Sequence, residues 1–166
     1  MTGERVEKRE LTVRDATTAD LEVVATWVRT AEECLLWAGP AVSFPVEPGV
    51  LAGEIEFEEA DDLALADEAG VAAFGQLVWR PKRRAHLARV IVRPDARGRG
   101  AGRALVRALL ERASASGART ATLNVYAENE AARRLYEAAG FSVAGQPRGQ
   151  ACPHGALVMT LDVGSL

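Results

Sequence analysis

Between Arg93 and Arg107 five arginines (Arg93, Arg97, Arg99, Arg103, Arg107) stand against one acidic residue, Asp95, and glycines fall among them at positions 98, 100 and 102. Ahead of this run, Val90-Ile91-Val92 reads as a strand stopped by Pro94. Behind it, Ala101, Ala104, Leu105, Ala108, Leu109 and Ala113 are spaced for one face of a helix that Gly117 terminates. A strand, a glycine loop and a helix in that order make an anion site. Glycine lets the backbone turn tightly and lets a ligand approach main-chain N–H groups. The first N–H groups of a helix lack intrahelical partners and sit at the positive end of its dipole. A phosphate or pyrophosphate suits that place, and Arg97, Arg99 and Arg103 add charge around it.

Two common phosphate binders are excluded by spacing. A P-loop needs a Gly-Lys-Ser/Thr ending, which is absent. The dinucleotide fingerprint needs a glycine at its sixth position, where this chain has Arg103 counted from Gly98 and Leu105 counted from Gly100.

The elements that must hold this loop can be read along the chain. Leu11 to Ala16 alternates as a short strand, and Thr17 or Thr18 caps a helix carrying Leu21, Val24, Ala25 and Val28. Residues 35–49 hold three prolines and two glycines and read as an irregular connection. A second helix is expected over Pro48–Glu59. Strands follow at Leu63–Ala66, Val71–Trp79 and His86–Val92, joined by turns at 68–70 and 81–84. After the glycine loop and its helix come a strand at Thr120–Val125, a helix capped by Asn129 and closed by Gly140, and strands at Phe141–Ala144 and Leu157–Asp162. An antiparallel first half thus leads into a βαβ unit. The predicted class is α/β of the α+β type, a mixed, mostly antiparallel sheet of about seven strands with about four helices.

Bulk properties fit one domain. The chain has 166 residues, 48% of them apolar and 26% charged, which is the balance of a globular protein and not of a disordered one. Residues 1–10 read as a flexible segment and 11–166 as the single domain. A net charge of −3 argues against a nucleic-acid partner. The N-terminus is charged without an apolar core, and no apolar run approaches a membrane helix, so a cytoplasmic protein with no membrane partner is expected. Cys34 and Cys152 have no metal-ligand spacing, and the only histidines are His86 and His154, so no metal is expected. Eight acidic residues and no basic one lie between Glu54 and Glu68. They read either as a solvated face or as an attraction for a cationic amine.

The basic run resembles the signature of the GNAT (Gcn5-related N-acetyltransferase) superfamily, Gln/Arg-x-x-Gly-x-Gly/Ala, here Arg97-x-x-Gly100-x-Gly102. Asn129-Glu-Ala-Ala-Arg-Arg-Leu-Tyr136-Glu-Ala-Ala-Gly140-Phe141 is similar to that family's later motif, in which an Asn caps a helix and Leu-Tyr precedes Gly-Phe. The match is strong from about residue 86 to 144 and follows the family's order.

The resemblance implies acetyl-coenzyme A as cosubstrate and an N-acetyltransferase. By it, the backbone of Arg97, Gly98, Arg99, Gly100, Ala101 and Gly102, with Arg103 beside it, binds the pyrophosphate. Backbone at Ile91, Val92 and Arg93 meets the pantetheine and the acetyl carbonyl, Asn129 contacts the coenzyme arm, and Tyr136 protonates the leaving thiolate as general acid. Trp37 and Phe44 are candidates for the acceptor groove or for the core. The acceptor is a small-molecule or peptide amine, and a homodimer is among the assemblies the family forms.

The general base stays open. Many family members are similar in placing a Glu on the strand before the loop, where this chain has His86 and Arg89, both read as solvent-facing. Glu56, Glu58, Asp61, Glu128, His154 and an ordered water chain are the alternatives. The competing function is a non-catalytic acetyl-coenzyme A-binding regulatory module; a nucleotide-binding domain is disfavoured by the failed fingerprints. Cys34 reads as a small buried hydrophobe.

Overall fold

The computed structural model describes residues 10–145, 155–164 and 166. Strand β1 (Thr12–Asp15) leads into helix α1 (Thr18–Ala25), whose start is fixed by a reciprocal capping box between Thr17 and Asp20. Helix α2 (Ala31–Ala38) follows, then a single 3-10 turn at Gly39–Ala41 and helix α3 (Pro48–Glu54). Three antiparallel strands come next, β2 (Asp61–Asp67), β3 (Gly70–Arg80) and β4 (Arg84–Val92). Helix α4 (Ala101–Ala115), strand β5 (Thr120–Tyr126), helix α5 (Glu130–Ala138) and strands β6 (Ser142–Gly145) and β7 (Ala156–Asp162) complete the order.

The seven strands form one sheet in the order β1-β2-β3-β4-β5-β7-β6. All neighbours are antiparallel except β4 and β5, which α4 joins as a parallel crossover. This is the mixed, mostly antiparallel seven-stranded sheet that the sequence predicts, with five α-helices in place of about four. The additional helix is α2, whose second half falls in the stretch expected to be irregular. Its start is a capping pair: Glu33 N–H donates to Thr30 Oγ1 at 3.0 Å, and Glu33 Oε2 accepts from the Arg29 N–H at 2.8 Å. The expected helix to Glu59 ends instead at Glu54, and Glu56 and Glu58 both adopt positive φ.

Two apolar layers cover the sheet. Leu105, Val106 and Leu109 of α4 and Tyr136 of α5 pack with Leu77, Leu87 and Leu123 on one face. Leu21 and Val24 of α1, Cys34 of α2 and Leu51 of α3 pack with Phe74 and Ile91 on the other. One irregularity on β4 sets which residues reach which layer. Ala88 pairs with Gln76 but Ile91 pairs with Phe74, so β4 carries one extra residue there. This is a β-bulge at Arg89–Val90, with Arg89 at φ 52. A one-residue insertion turns every later side chain to the opposite face. Ala85 and Leu87, before the bulge, face α4, whereas Ile91, after it, faces α1–α3.

Opposite the bulge stands Gly75. A Cβ there would lie 3.1 Å from Leu109, 3.3 Å from Leu105 and 3.3 Å from Val90. Only glycine lets α4 sit this close to the bulged strand.

Candidate functional site

The bulge lies at the mouth of an opening in the sheet. β4 and β5 pair only from Arg84↔Thr120 to Leu87↔Leu123. Beyond that point the two strands separate, and Ala88–Val92 on one side and Asn124–Tyr126 on the other line a cleft of about 910 Å³. The parting is a consequence of the local sequence. The bulge bends β4 and takes one residue out of its ladder with β3, and β5 keeps its hydrogen bonds by pairing with β7 along its whole length.

One end of the cleft is the glycine loop. Arg97, Gly98, Gly100, Gly102 and Arg103 line it. Gly98 and Gly100 have φ of 71° and 88°, and a Cβ on either would meet nothing within 4 Å. The glycines are therefore required by backbone conformation and not by crowding. Gly102 is a different case: a Cβ there would stand 3.3 Å from Leu135 of α5 and 3.5 Å from Val92 of β4. It lets α4 start close against both. Gly100 is the N-cap of α4 and has no capping side chain, so the first N–H groups of a fifteen-residue helix face the cleft mouth without a protein acceptor from the cap. Arg97 reaches back, its Nε donating to the Val92 carbonyl at 3.1 Å.

Other residues singled out from the sequence fall into two groups. Ile91, Val92, Asn129, Tyr136 and Trp37 also line the cleft. Asn129 caps α5, accepting from the Ala132 N–H at 3.3 Å. Tyr136 is 8% exposed, its ring edge-on to Phe141 with centroids 6.0 Å apart. Burial pushes its phenol above the ordinary range, so the hydroxyl keeps its proton.

The second group lies off the cleft. Phe44 is 40% exposed and is not part of the lining. Arg99 and Ala101 are likewise outside it. Arg93 is committed elsewhere: its N–H donates to the Ala72 carbonyl at 2.8 Å, its carbonyl accepts from Ala96, and its guanidinium pairs with Asp67 at 2.6 Å and with Asp95. Its N–H is thus taken by β3 and its carbonyl by the turn at Pro94–Ala96.

His86 and Arg89 correct the sequence reading in the other direction, because both line the cleft. His86 Nδ1 lies 2.9 Å from Thr122 Oγ1 across the β4–β5 junction. Burial, and then the charges of Arg80, Arg84 and Arg89, push its imidazole down to about 4, so it is neutral at pH 7. Arg89 is held from both ends: its carbonyl accepts from the Trp37 indole at 3.0 Å, and its Nη1 donates to Gln76 Oε1 at 2.9 Å. Gln76, fully buried, passes the connection on to Asp62 at 2.6 Å and to the Ile55 carbonyl at 3.0 Å.

Asn124 and Tyr126 were not singled out from the sequence. They sit two residues apart on β5, on the same face as Thr122, and strand alternation alone would have grouped them. Of the base candidates, Glu56 lines the cleft, whereas Glu58, Asp61 and Glu128 do not; His154 lies outside the described residues. Among the described residues no His, Cys, Asp or Glu cluster is arranged to hold a metal, and no helix is long and apolar enough to cross a membrane. Cys34 is buried as a core residue, its Sγ 3.6 Å from the Val42 carbonyl.

Known proteins resemble this chain in sequence or in fold. Mycothiol acetyltransferase of Corynebacterium aurimucosum is 35% identical over 133 residues, which cover 74% of this chain but 44% of that relative. The chain therefore spans less than half the length of the curated relative it matches. The ribosomal-protein-S18-alanine N-acetyltransferase of Escherichia coli superposes with a TM-score of 0.70 at 26% identity, covering 93% of this chain and 94% of that one. A spermidine N-acetyltransferase from Vibrio cholerae, solved with CoA and spermine, gives 0.73 at 20% identity over 92% and 95% of the two chains, a likeness of fold. The pattern of the Acetyltransferase (GNAT) family matches residues 25–141, across α2, the bulged strand, the glycine loop and α5, and the chain belongs to that family.

Proposed function

We propose that this protein transfers the acetyl group of acetyl-coenzyme A to a primary amine by direct attack, with Tyr136 as general acid. The observation that supports it most is the parted pair β4–β5, which runs from the N-terminus of α4 at one end to Tyr136, Trp37 and the bulge. A long cosubstrate with an anionic end and a thin amide-bearing arm fits such a groove. Its pyrophosphate meets the N–H groups of the Gly98–Gly102 loop. Its arm lies between Ile91–Val92 and Asn129, taking the strand position that β5 has vacated.

The chemistry asks three things of the protein. Charge that develops on the acetyl oxygen needs a fixed donor, and backbone N–H groups on β4 near the bulge can supply one; a donor of this kind contributes roughly 3–4 kcal/mol in acyl transfer. The departing thiolate needs a proton, and Tyr136, kept protonated by burial, carries one. The acceptor must arrive as a free amine, although an alkylamine has a pKa near 10.4 in water. Glu33, Glu56 and the neutral His86 are the cleft-lining groups that can take its proton, directly or through water.

The test is a comparison of wild type with Tyr136→Phe by free-thiol release, with a no-amine control. Loss of at least about ten-fold in kcat in the folded variant supports the assignment. Unchanged kcat removes Tyr136 from the reaction. Tight coenzyme binding without release for any amine would favour a regulatory module.

A further inference from the structure

The acetyl-transfer reading leaves the acceptor unnamed, and the charge pattern of the cleft narrows it. Five arginines are half-buried among the described residues: Arg14, Arg89, Arg93, Arg112 and Arg133. Four have a carboxylate within 4 Å, namely Asp20, Asp67, Asp15 and Glu137 respectively. Arg89 has none among the described residues. Its one hydrogen bond goes to the neutral Gln76, and its Nε, hidden from solvent, has no partner.

A half-buried guanidinium with no carboxylate in contact is destabilising, and the nearest acidic charges, Glu56 and Asp62, act on Arg89 without touching it. Nη1 is the nitrogen that Gln76 occupies and Nε is hidden from solvent, so Nη2 is the donor left for a ligand in the cleft. A charged N–H donor of this kind suits a carboxylate oxygen. The surroundings agree in sign. Arg80 shares the lining with Arg89, on the strand face that also carries His86, and Arg84 follows it in register on β4. Of the acidic run between 54 and 68, only Glu56 reaches the cleft, and Glu33 of α2 is the other carboxylate among its lining residues. The cleft thus offers both charges, a pattern that suits an amine which is also an acid better than a polycation.

Resting on the acyl-transfer reading, we infer that the acceptor amine carries a carboxylate, seated on Arg89 Nη2 with Arg80 flanking it. Arg89 is then the residue that sets acceptor specificity. Its place on the bulge ties acceptor binding to the same backbone that receives the acetyl group, because Trp37 holds the Arg89 carbonyl while the side chain turns to Gln76.

Matched amines test it: L-leucine against isopentylamine, L-phenylalanine against phenethylamine, and 5-aminopentanoate against butylamine, each with acetyl-coenzyme A. The first two place the carboxylate beside the amine and the third places it at a distance. In wild type at least one acid is expected to exceed its partner in kcat/KM by about ten-fold or more, as a charged hydrogen bond warrants. Arg89→Gln and, separately, Arg80→Gln should remove that advantage mainly through KM, with Arg89→Lys restoring part of it. Thermal melts establish that each variant is folded.

Calorimetry of the same pairs with coenzyme A-loaded protein reads the preference without turnover. Equal rates or equal binding within every pair, no binding by any acid, or a preference that survives both glutamine variants overturns the inference. Turnover without a carboxylate preference would leave acetyl transfer standing, whereas failure to bind acetyl-coenzyme A would remove both.

Discussion

His86 and Arg89 carry the clearest lesson at the scale of single residues. Their polar side chains read as solvent-facing, because nothing local says that either is covered. The cover comes from Trp37, fifty-two residues away in sequence, and from the bulge, which no glycine or proline marks on β4. By contrast, Asn129 and the glycines at 98 and 100 are legible, since caps and positive φ are local demands that leave a local residue signature. For His86 the structure gives a pH dependence. Its folded pKa, about 4, lies below the ordinary 6.5, so the unfolded chain binds the proton more readily in that window. The contribution to stability is complete above about 6.5 and is lost as pH falls toward 4. Urea unfolding of wild type and His86→Asn at several pH values should show the wild type losing more between pH 7 and pH 5. Parallel curves would mean that His86 is as easily protonated folded as unfolded.

Asp20 gives a second acid-side expectation with the same sign. The Arg14 hydrogen bond is the largest cause that lowers its carboxyl from 3.8. That support is present above about pH 4 and disappears as pH falls below it. Asp20→Asn should therefore flatten the stability curve below pH 4, and an unaltered curve would deny the pair a role.

Among the elements, the bulge and the α4 N-terminus make separable predictions. Trp37→Phe keeps an aromatic ring, makes it smaller and removes the donor to the Arg89 carbonyl. A lost hydrogen bond of this kind costs about 1–2 kcal/mol, read from the urea midpoint. If the bulge orients the cleft, KM for acetyl-coenzyme A or for the acceptor should rise with it. A stability loss with both KM values unchanged would make Trp37 purely structural. Gly100→Ala adds a methyl into open space at φ 88, so its cost is backbone strain alone, about 1–2 kcal/mol. Weaker coenzyme binding should accompany that loss.

Helix α2 shows what a composition reading overlooks. The prolines and glycines between 35 and 49 are real breakers, but they follow the helix instead of excluding it. Thr30 and Glu33, three apart, already spelled its start.

For the whole molecule, the order of strands and the crossover from β4 to β5 were legible because hydrophobic period changes from two to 3.6 at the glycine loop. The acidic run was not legible, since its members disperse once folded. Glu54 accepts from the Ser43 N–H, Asp61 from the Trp79 indole, Asp62 from Gln76, and Asp67 from Arg93. None of these partners is adjacent in sequence. The last pair joins the β2–β3 turn to the end of β4, and the Asp67 side chain is 2% exposed. Asp67→Asn should destabilise the fold by about 3 kcal/mol, the typical result of breaking a buried pair from one side, and a change below 1 kcal/mol would show the pair to be dispensable.

The measurement that bears most directly on acetyl transfer at the parted strands follows free thiol and acetylated amine together after mixing the protein with acetyl-coenzyme A and amines. Amine-dependent thiol release matched one for one by N-acetyl product is the predicted result. Bound coenzyme with neither thiol nor product above the amine-free control, across the whole panel, would contradict it.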